Sequence, residues 1–102
     1  MSESVFPDVM DSGDRMVFRV RSRTRHQHWW MVDLASKNYP GNAECNCKNF
    51  RITCHTNWKE NGGKVVPYRF GNESRTQCGH IEAAWFHFAQ QISAAMIDDQ
   101  GI

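Results

Sequence analysis

Two tripeptides hold most of the side chains that could do chemistry. Cys45–Asn46–Cys47 and Cys78–Gly79–His80 carry three of the four cysteines and one of the five histidines. Thiolate sulfur and imidazole nitrogen are the preferred donors of tetrahedral zinc, with Zn–S near about 2.3 Å and Zn–N near about 2.0–2.1 Å. Two cysteines that flank a single residue reach one ion from a tight bend, and Asn46 between them tolerates unusual backbone angles. Gly79 lets the second clip turn sharply into whatever element follows. Cys45, Cys47, Cys78 and His80 would together clamp two distant parts of the chain onto one Zn2+. A closed set of four protein ligands keeps no position for substrate, so the expected role is structural.

Other donors compete for places in that set. Cys54 and His55 lie inside the spacer between Cys47 and Cys78, and either can replace a ligand. A lone thiol on a strand is more commonly a small buried apolar residue. His87 lies seven residues beyond His80, about 10 Å along a helix, and cannot share its ion. It reads as an ordinary helix-face residue. The remaining alternative is two disulfides or four free thiols. Cys45 and Cys47 are too close in the chain to pair without strain, and clustered cysteines in a reducing compartment more often bind metal.

The cytoplasm is the expected compartment. The first residues, MSESVFPDVMDSGD, lack the basic start and apolar run of a signal peptide. No apolar stretch approaches the roughly 20 residues of a membrane span, so no membrane partner is expected. With 40 % apolar and 23 % charged residues the chain reads as globular. Its 102 residues allow one modest core, which a metal would help to stabilise.

A net charge of +1 conceals an asymmetry. Residues 1–14 hold Glu3, Asp8, Asp11 and Asp14 and no base, and are expected to be a flexible acidic arm. Residues 15–102 form the single domain. Arg19, Arg21, Arg23 and Arg25 recur at every second position. On a regular strand they share one side at about 6.6 Å spacing, suited to tracking phosphates. Trp29 follows closely, and arginine beside an aromatic ring suits DNA or RNA, especially single strands. The acidic arm folded over this stripe would screen it. The plainer explanation is an edge strand kept soluble by its charges. A protein partner anchored on exposed aromatics is the alternative function. Asp33, Glu44, His55, Glu82 and His87 match no catalytic spacing, so no enzyme activity is expected.

The elements that must position these residues follow from periodicity. Met16, Phe18 and Val20 alternate with Val17, Arg19 and Arg21, which marks a strand. HWWMVDLA is a second strand, with His28, Trp30, Val32 and Leu34 on one side. Pro40–Gly41–Asn42 makes a loop. Phe50 to Cys54 looks like a short strand, KENGGK like a turn, and VVPYRF like an edge strand limited by Pro67. Ile81, Ala84, Trp85, Phe88, Ile92, Ala95 and Met96 follow helical spacing. The expected class is α+β, an antiparallel sheet of two to four strands with one C-terminal helix on its apolar face.

The order C-x-C, spacer, C-x-H and alanine-rich helix resembles the SWIM zinc finger. The resemblance covers roughly residues 28–90 and is carried by WWMVDLA, by CNCKNF with Phe50 three residues after Cys47, and by CGHIEAA. It implies a ββα arrangement, the ligands Cys45, Cys47, Cys78 and His80, and binding to DNA or to other proteins. Two departures stand out. Gly79 replaces the usual basic residue of the second clip, and the spacer is longer than is usual.

Overall fold

The computed structural model describes residues 8–13, 16–22, 25, 27–68 and 73–100, with side chains up to residue 93. Four strands, β1 (Val9–Asp11), β2 (Val17–Arg21), β3 (Trp29–Asp33) and β4 (Glu44–Cys45), form one antiparallel meander in chain order. A π-helical turn, Phe50–Cys54, runs directly into the short helix α1 (His55–Glu60). The long helix α2 (Gly79–Gln100) closes the chain. The class is α+β, as the sequence implies, with four strands in the sheet, of which β2 and β3 are those expected and β1 and β4 are not, and with one more helix than expected.

Strand alternation sorts residues onto two faces. Val9, Val20 and Trp30 are register partners, and so are Asp11, Phe18, Val32 and Cys45. These rows form the inner face, where Phe18, Val20 and Val32 are buried with Leu34, Phe50, Ile81 and Ala84. Each large side chain so enclosed contributes about 1.5–3 kcal/mol. The rows Met10–Arg19–Met31 and Arg21–Trp29 form the outer face. α2 lies across the inner face, with the Phe88 ring edge-on to Phe18 at 6.0 Å.

Three expectations about local structure are corrected. Val9–Asp11 lies inside the expected acidic arm but forms a strand, paired in register with Phe18–Val20. Residues 1–7 and 14 lie outside the described residues. Phe50–Cys54 is helical, not extended. Phe50 and Cys54 are buried while Ile52, which a strand would place beside them, is 58 % exposed. Burial four residues apart is a helical period. Residues 64–68 form no strand. Val66 instead exchanges hydrogen bonds with Thr76, donating to its hydroxyl and accepting from its main-chain N–H.

Candidate metal centre

Period two places Cys45 on the inner face next to Val32, beneath the start of α2. The chain then leaves the sheet under control of Asn46. Its main-chain N–H donates to the Met31 carbonyl at 3.2 Å, and its side-chain oxygen accepts the Met31 N–H at 2.9 Å. Asn46 therefore continues the ladder with its side chain. Its tolerance for unusual backbone angles is not used: among described non-glycine residues only Ala43 is left-handed, at φ 79°. Cys47 caps the following helical turn, accepting the Phe50 N–H on its sulfur at 3.4 Å and the Arg51 N–H on its carbonyl at 3.1 Å.

The second clip sits at the opening of α2. The Cys78 carbonyl accepts the N–H groups of Ile81 and Glu82, which starts the helix and fixes His80 in its first turn. Trp30 lies 5.9 Å from the His80 ring, centroid to centroid, and covers it on the sheet side. A cleft of about 270 Å³ lined by Asn49, Tyr68, Arg75, Cys78, Gly79, His80 and Glu82 opens beside the clip.

The two clips meet. The donor atoms of Cys45, Cys47, Cys78 and His80 all lie within 4.8 Å of one another. His80 Nδ1 is 3.8 Å from Cys45 Sγ and 3.7 Å from Cys78 Sγ. A tetrahedron built with zinc bond lengths has S···N edges of about 3.6 Å and S···S edges of about 3.8 Å. The donor spacing therefore suits one small four-coordinate ion. Cys45, Cys47 and Cys78 are buried and none is in a disulfide.

No family model, curated protein or solved structure matches this chain. The function must be read from its own residues.

Crowding sets the protonation of the three thiols. Cys47 is held far below its ordinary range, first by the hydrogen bond from Cys45, then by those from Cys78 and His80, with the Phe50 N–H adding to them. Cys45 is pushed far up by its bonds to Cys47 and Cys78 and by burial. For Cys78 the bond with Cys45 favours ionisation, but the bond with Cys47, burial and charge repulsion outweigh it and the thiol lies high. Without a cation the three thiols thus share their protons through these hydrogen bonds and do not all ionise together. A divalent ion bound there would displace the remaining protons and neutralise the sulfurs.

The alternative ligands lie elsewhere. Cys54 is buried with its thiol 3.7 Å from Asn49 Oδ1, outside the four-residue cluster. His55 shares a hydrogen bond between Nδ1 and the Tyr39 hydroxyl. His87 faces β1, 3.4 Å from Asp11, where Gln91 also donates to the same carboxylate.

What sequence reasoning missed is a hydrogen-bonded clamp of protein groups that also joins the segments carrying the two clips. Asn42 is fully buried, and its side-chain N–H groups donate to the carbonyls of Thr76, at 2.8 Å, and Ala43, at 3.0 Å. The Thr76 hydroxyl donates to Asn42 Oδ1, and the Gln77 side chain donates to the Asn42 carbonyl at 2.7 Å. These residues lie three positions before Cys45 and one or two before Cys78. The sequence signals were Asn42, three residues before the first clip, and the polar pair Thr76–Gln77 directly before the second.

The arginine ladder is shorter than expected. Arg19 and Arg21 share the outer face, but β2 ends at Arg21. The Ser22 N–H then donates to the His28 carbonyl, and the Arg25 N–H to the Ser22 hydroxyl, so Arg25 belongs to the turn. Arg23 lies outside the described residues. The Arg21 guanidinium stacks 4.4 Å over the ring of its register partner Trp29. Its Nε donates to Asp8 at 3.2 Å, and its main-chain N–H donates to the Asp8 carbonyl. Trp30 points inward to the core and the metal centre. Among described residues no helix is long and apolar enough to cross a membrane.

Proposed function

We propose that the chain is a SWIM-like module in which Cys45, Cys47, Cys78 and His80 hold one structural Zn2+, and that it binds nucleic acid through the outer face of its sheet. The observation that carries the binding is the Arg21–Trp29 stack at 4.4 Å, with Arg19 exposed on the same face. A cation fixed over an aromatic plane offers a phosphate contact and a stacking platform together, the combination that single-stranded DNA or RNA uses. The metal supports the other face. It ties β4 to the start of α2, which braces the sheet that presents the arginines. Four protein donors complete a tetrahedron, so the centre is read as structural and the chain as a non-enzyme.

Titrating labelled single-stranded DNA, single-stranded RNA and duplex DNA at about 50 and about 200 mM salt tests this reading. The expected result is binding to a single strand that weakens steeply with salt. Absence of binding to all three polymers at low salt would reject it.

One observation favours a second reading. Met10 and Met31, 51 % and 38 % exposed, flank Arg19 in the same row. Methionines around a basic residue also suit a protein partner. That reading takes over if the polymers do not bind.

A further inference from the structure

The excess positive charge of the chain lies in the spacer between the two clips. Residues 48–77 hold Lys48, Arg51, Lys59, Lys64, Arg69 and Arg75 against Glu60 and Glu73, a net charge of +4. The rest of the chain holds six basic and nine acidic residues, a net charge of −3. Lys48, Arg51, Lys59 and Lys64 are exposed, and Arg69 lies outside the described residues. Among the described residues the ion pairs are Arg21–Asp8 and His87–Asp11, so none of these four has a carboxylate partner. A surface kept merely soluble intersperses both signs. Four cations without partners on one short stretch instead repel one another and attract a polyanion.

Two of the four adjoin the outer face of the sheet. The row Met10–Arg19–Met31 continues to Asn46, which two hydrogen bonds hold to Met31. Adjacent strands lie about 4.8 Å apart, so Arg19 and Asn46 are about 10 Å from each other across the sheet. Asn46 is exposed and lines a cleft of about 380 Å³ together with Arg51. The acid of that cleft, Glu44, already accepts hydrogen bonds from Ser36 at 2.7 Å and Asn38 at 3.4 Å. Arg51 is tied to the first metal clip, since its main-chain N–H donates to the Cys47 carbonyl at 3.1 Å. Lys48 follows that clip directly.

We propose that Lys48 and Arg51 extend the nucleic-acid surface from the sheet onto the spacer, where they contact phosphates of a single strand whose other end lies on Arg19, Arg21 and Trp29. This surface presupposes that the outer face binds nucleic acid, and it adds the direction of the bound strand: across the sheet from β2 towards β4 and on to the metal clip. A phosphate backbone suits the path better than an acidic protein does, because the cations run in line with the aromatic stack at Trp29. Lys59 lies eight residues beyond Arg51, about 12 Å along the helical run. Lys64 is held at the far end of α1 by the Asn61 side chain. Charges so far off the path are largely screened at physiological salt, where the Debye length is about 8 Å.

Salt titrations of the zinc-loaded chain with labelled single-stranded DNA test the path. Lys48→Ala/Arg51→Ala should weaken binding about tenfold at about 50 mM salt. It should also flatten the slope of log affinity against log salt by about 1.4, at about 0.7 for each lost phosphate contact. Lys59→Ala/Lys64→Ala should leave the slope nearly unchanged. Both pairs should keep the zinc content and melting temperature of the wild type, because all four sites are exposed. Wild-type binding by Lys48→Ala/Arg51→Ala, with weaker binding by Trp29→Ala, would overturn the extension and leave the sheet surface standing. Equal losses from the two pairs would also overturn it, since net charge alone would then be at work. A loss from Lys48→Ala/Arg51→Ala with none from Trp29→Ala would uphold the spacer contacts and fault the stack on the sheet. A wild type that binds no single strand would overturn both.

Discussion

The side chain of Asn42 donates a 2.8 Å hydrogen bond to the carbonyl of Thr76, thirty-four residues away. Both groups are fully buried, and together with Gln77 they satisfy one another's donors and acceptors. Their positions put the clamp just ahead of each metal clip. Neutral hydrogen bonds thus tie together the two segments that carry Cys45 and Cys78.

Asn42→Ala removes that clamp and leaves the buried Thr76 carbonyl without its side-chain donor, while the Thr76 hydroxyl keeps its hydrogen bonds with Val66. Each unsatisfied buried group costs about 1–3 kcal/mol. The expected loss in urea unfolding of the metal-free chain is about 1–3 kcal/mol, with weaker zinc uptake in competition with a chelator dye. Wild-type stability in the metal-free variant would show that the clamp is incidental.

Removing the metal should lower the melting temperature sharply, since ligand binding to a folded site is folding energy. Elemental analysis should find one zinc per chain. Cys47→Ser should lose it, whereas Cys54→Ser should keep it, because the Cys54 thiol faces Asn49 outside the cluster. A zinc-free Cys54→Ser protein would place that residue among the ligands. Uptake should also release protons from the buried thiols, since crowding and burial raise Cys45 and Cys78. Zinc affinity is therefore expected to fall as pH drops.

Burial pushes the Cys54 thiol up from an ordinary 9.0 to about 11, opposed by the nearby Arg75 and aided by the charge on Cys47. The folded chain binds this proton more tightly than the unfolded chain does. The stability it contributes is complete below about pH 9 and lost as pH rises towards about 11. Urea midpoints across that window should fall for the wild type and fall less for Cys54→Ala. Equal slopes would mean that Cys54 is not the group responsible.

On the proposed reading, a nucleic-acid phosphate would have to compete with Asp8 for Arg21. Asp8→Asn leaves β1 in place but removes the carboxylate charge that holds the Arg21 Nε. Binding to single-stranded DNA is expected to tighten about two- to fivefold, in line with the small worth of an exposed pair. Trp29→Ala should weaken binding by about 1–3 kcal/mol per stacked base. Weaker binding by Asp8→Asn would show that the acid does not screen the site.

Much of this fold was legible. The alternation of Phe18 and Val20, and of Trp30, Val32 and Leu34, marks two strands because one face is buried. The spacing of Ile81, Ala84 and Phe88 marks the helix for the same reason. The four donors stood out because thiols in one-residue clips have few other uses. Elsewhere local pattern misled. Phe50, Ile52 and Cys54 fit period two and period four equally well over so short a run, and only Ile52's exposure separates them. β1 escaped notice because three residues among acids carry little hydrophobic signal. The arginine ladder looked continuous because sequence does not show where a strand stops, and here the turn begins at Ser22. Asn42 and Thr76 look like ordinary loop residues until their partners are known.

The spacer between Cys47 and Cys78 is fastened at its base twice, by the ring of donors and by the buried amide. The Gly62–Gly63 turn, where both residues have positive φ, lies far from either fastening. Loop-closure entropy grows only logarithmically, by about 0.6 kcal/mol for each doubling of length. Extra chain inserted at that turn should therefore scarcely disturb the centre, which makes it the natural place to graft a tag, a reporter or a foreign epitope.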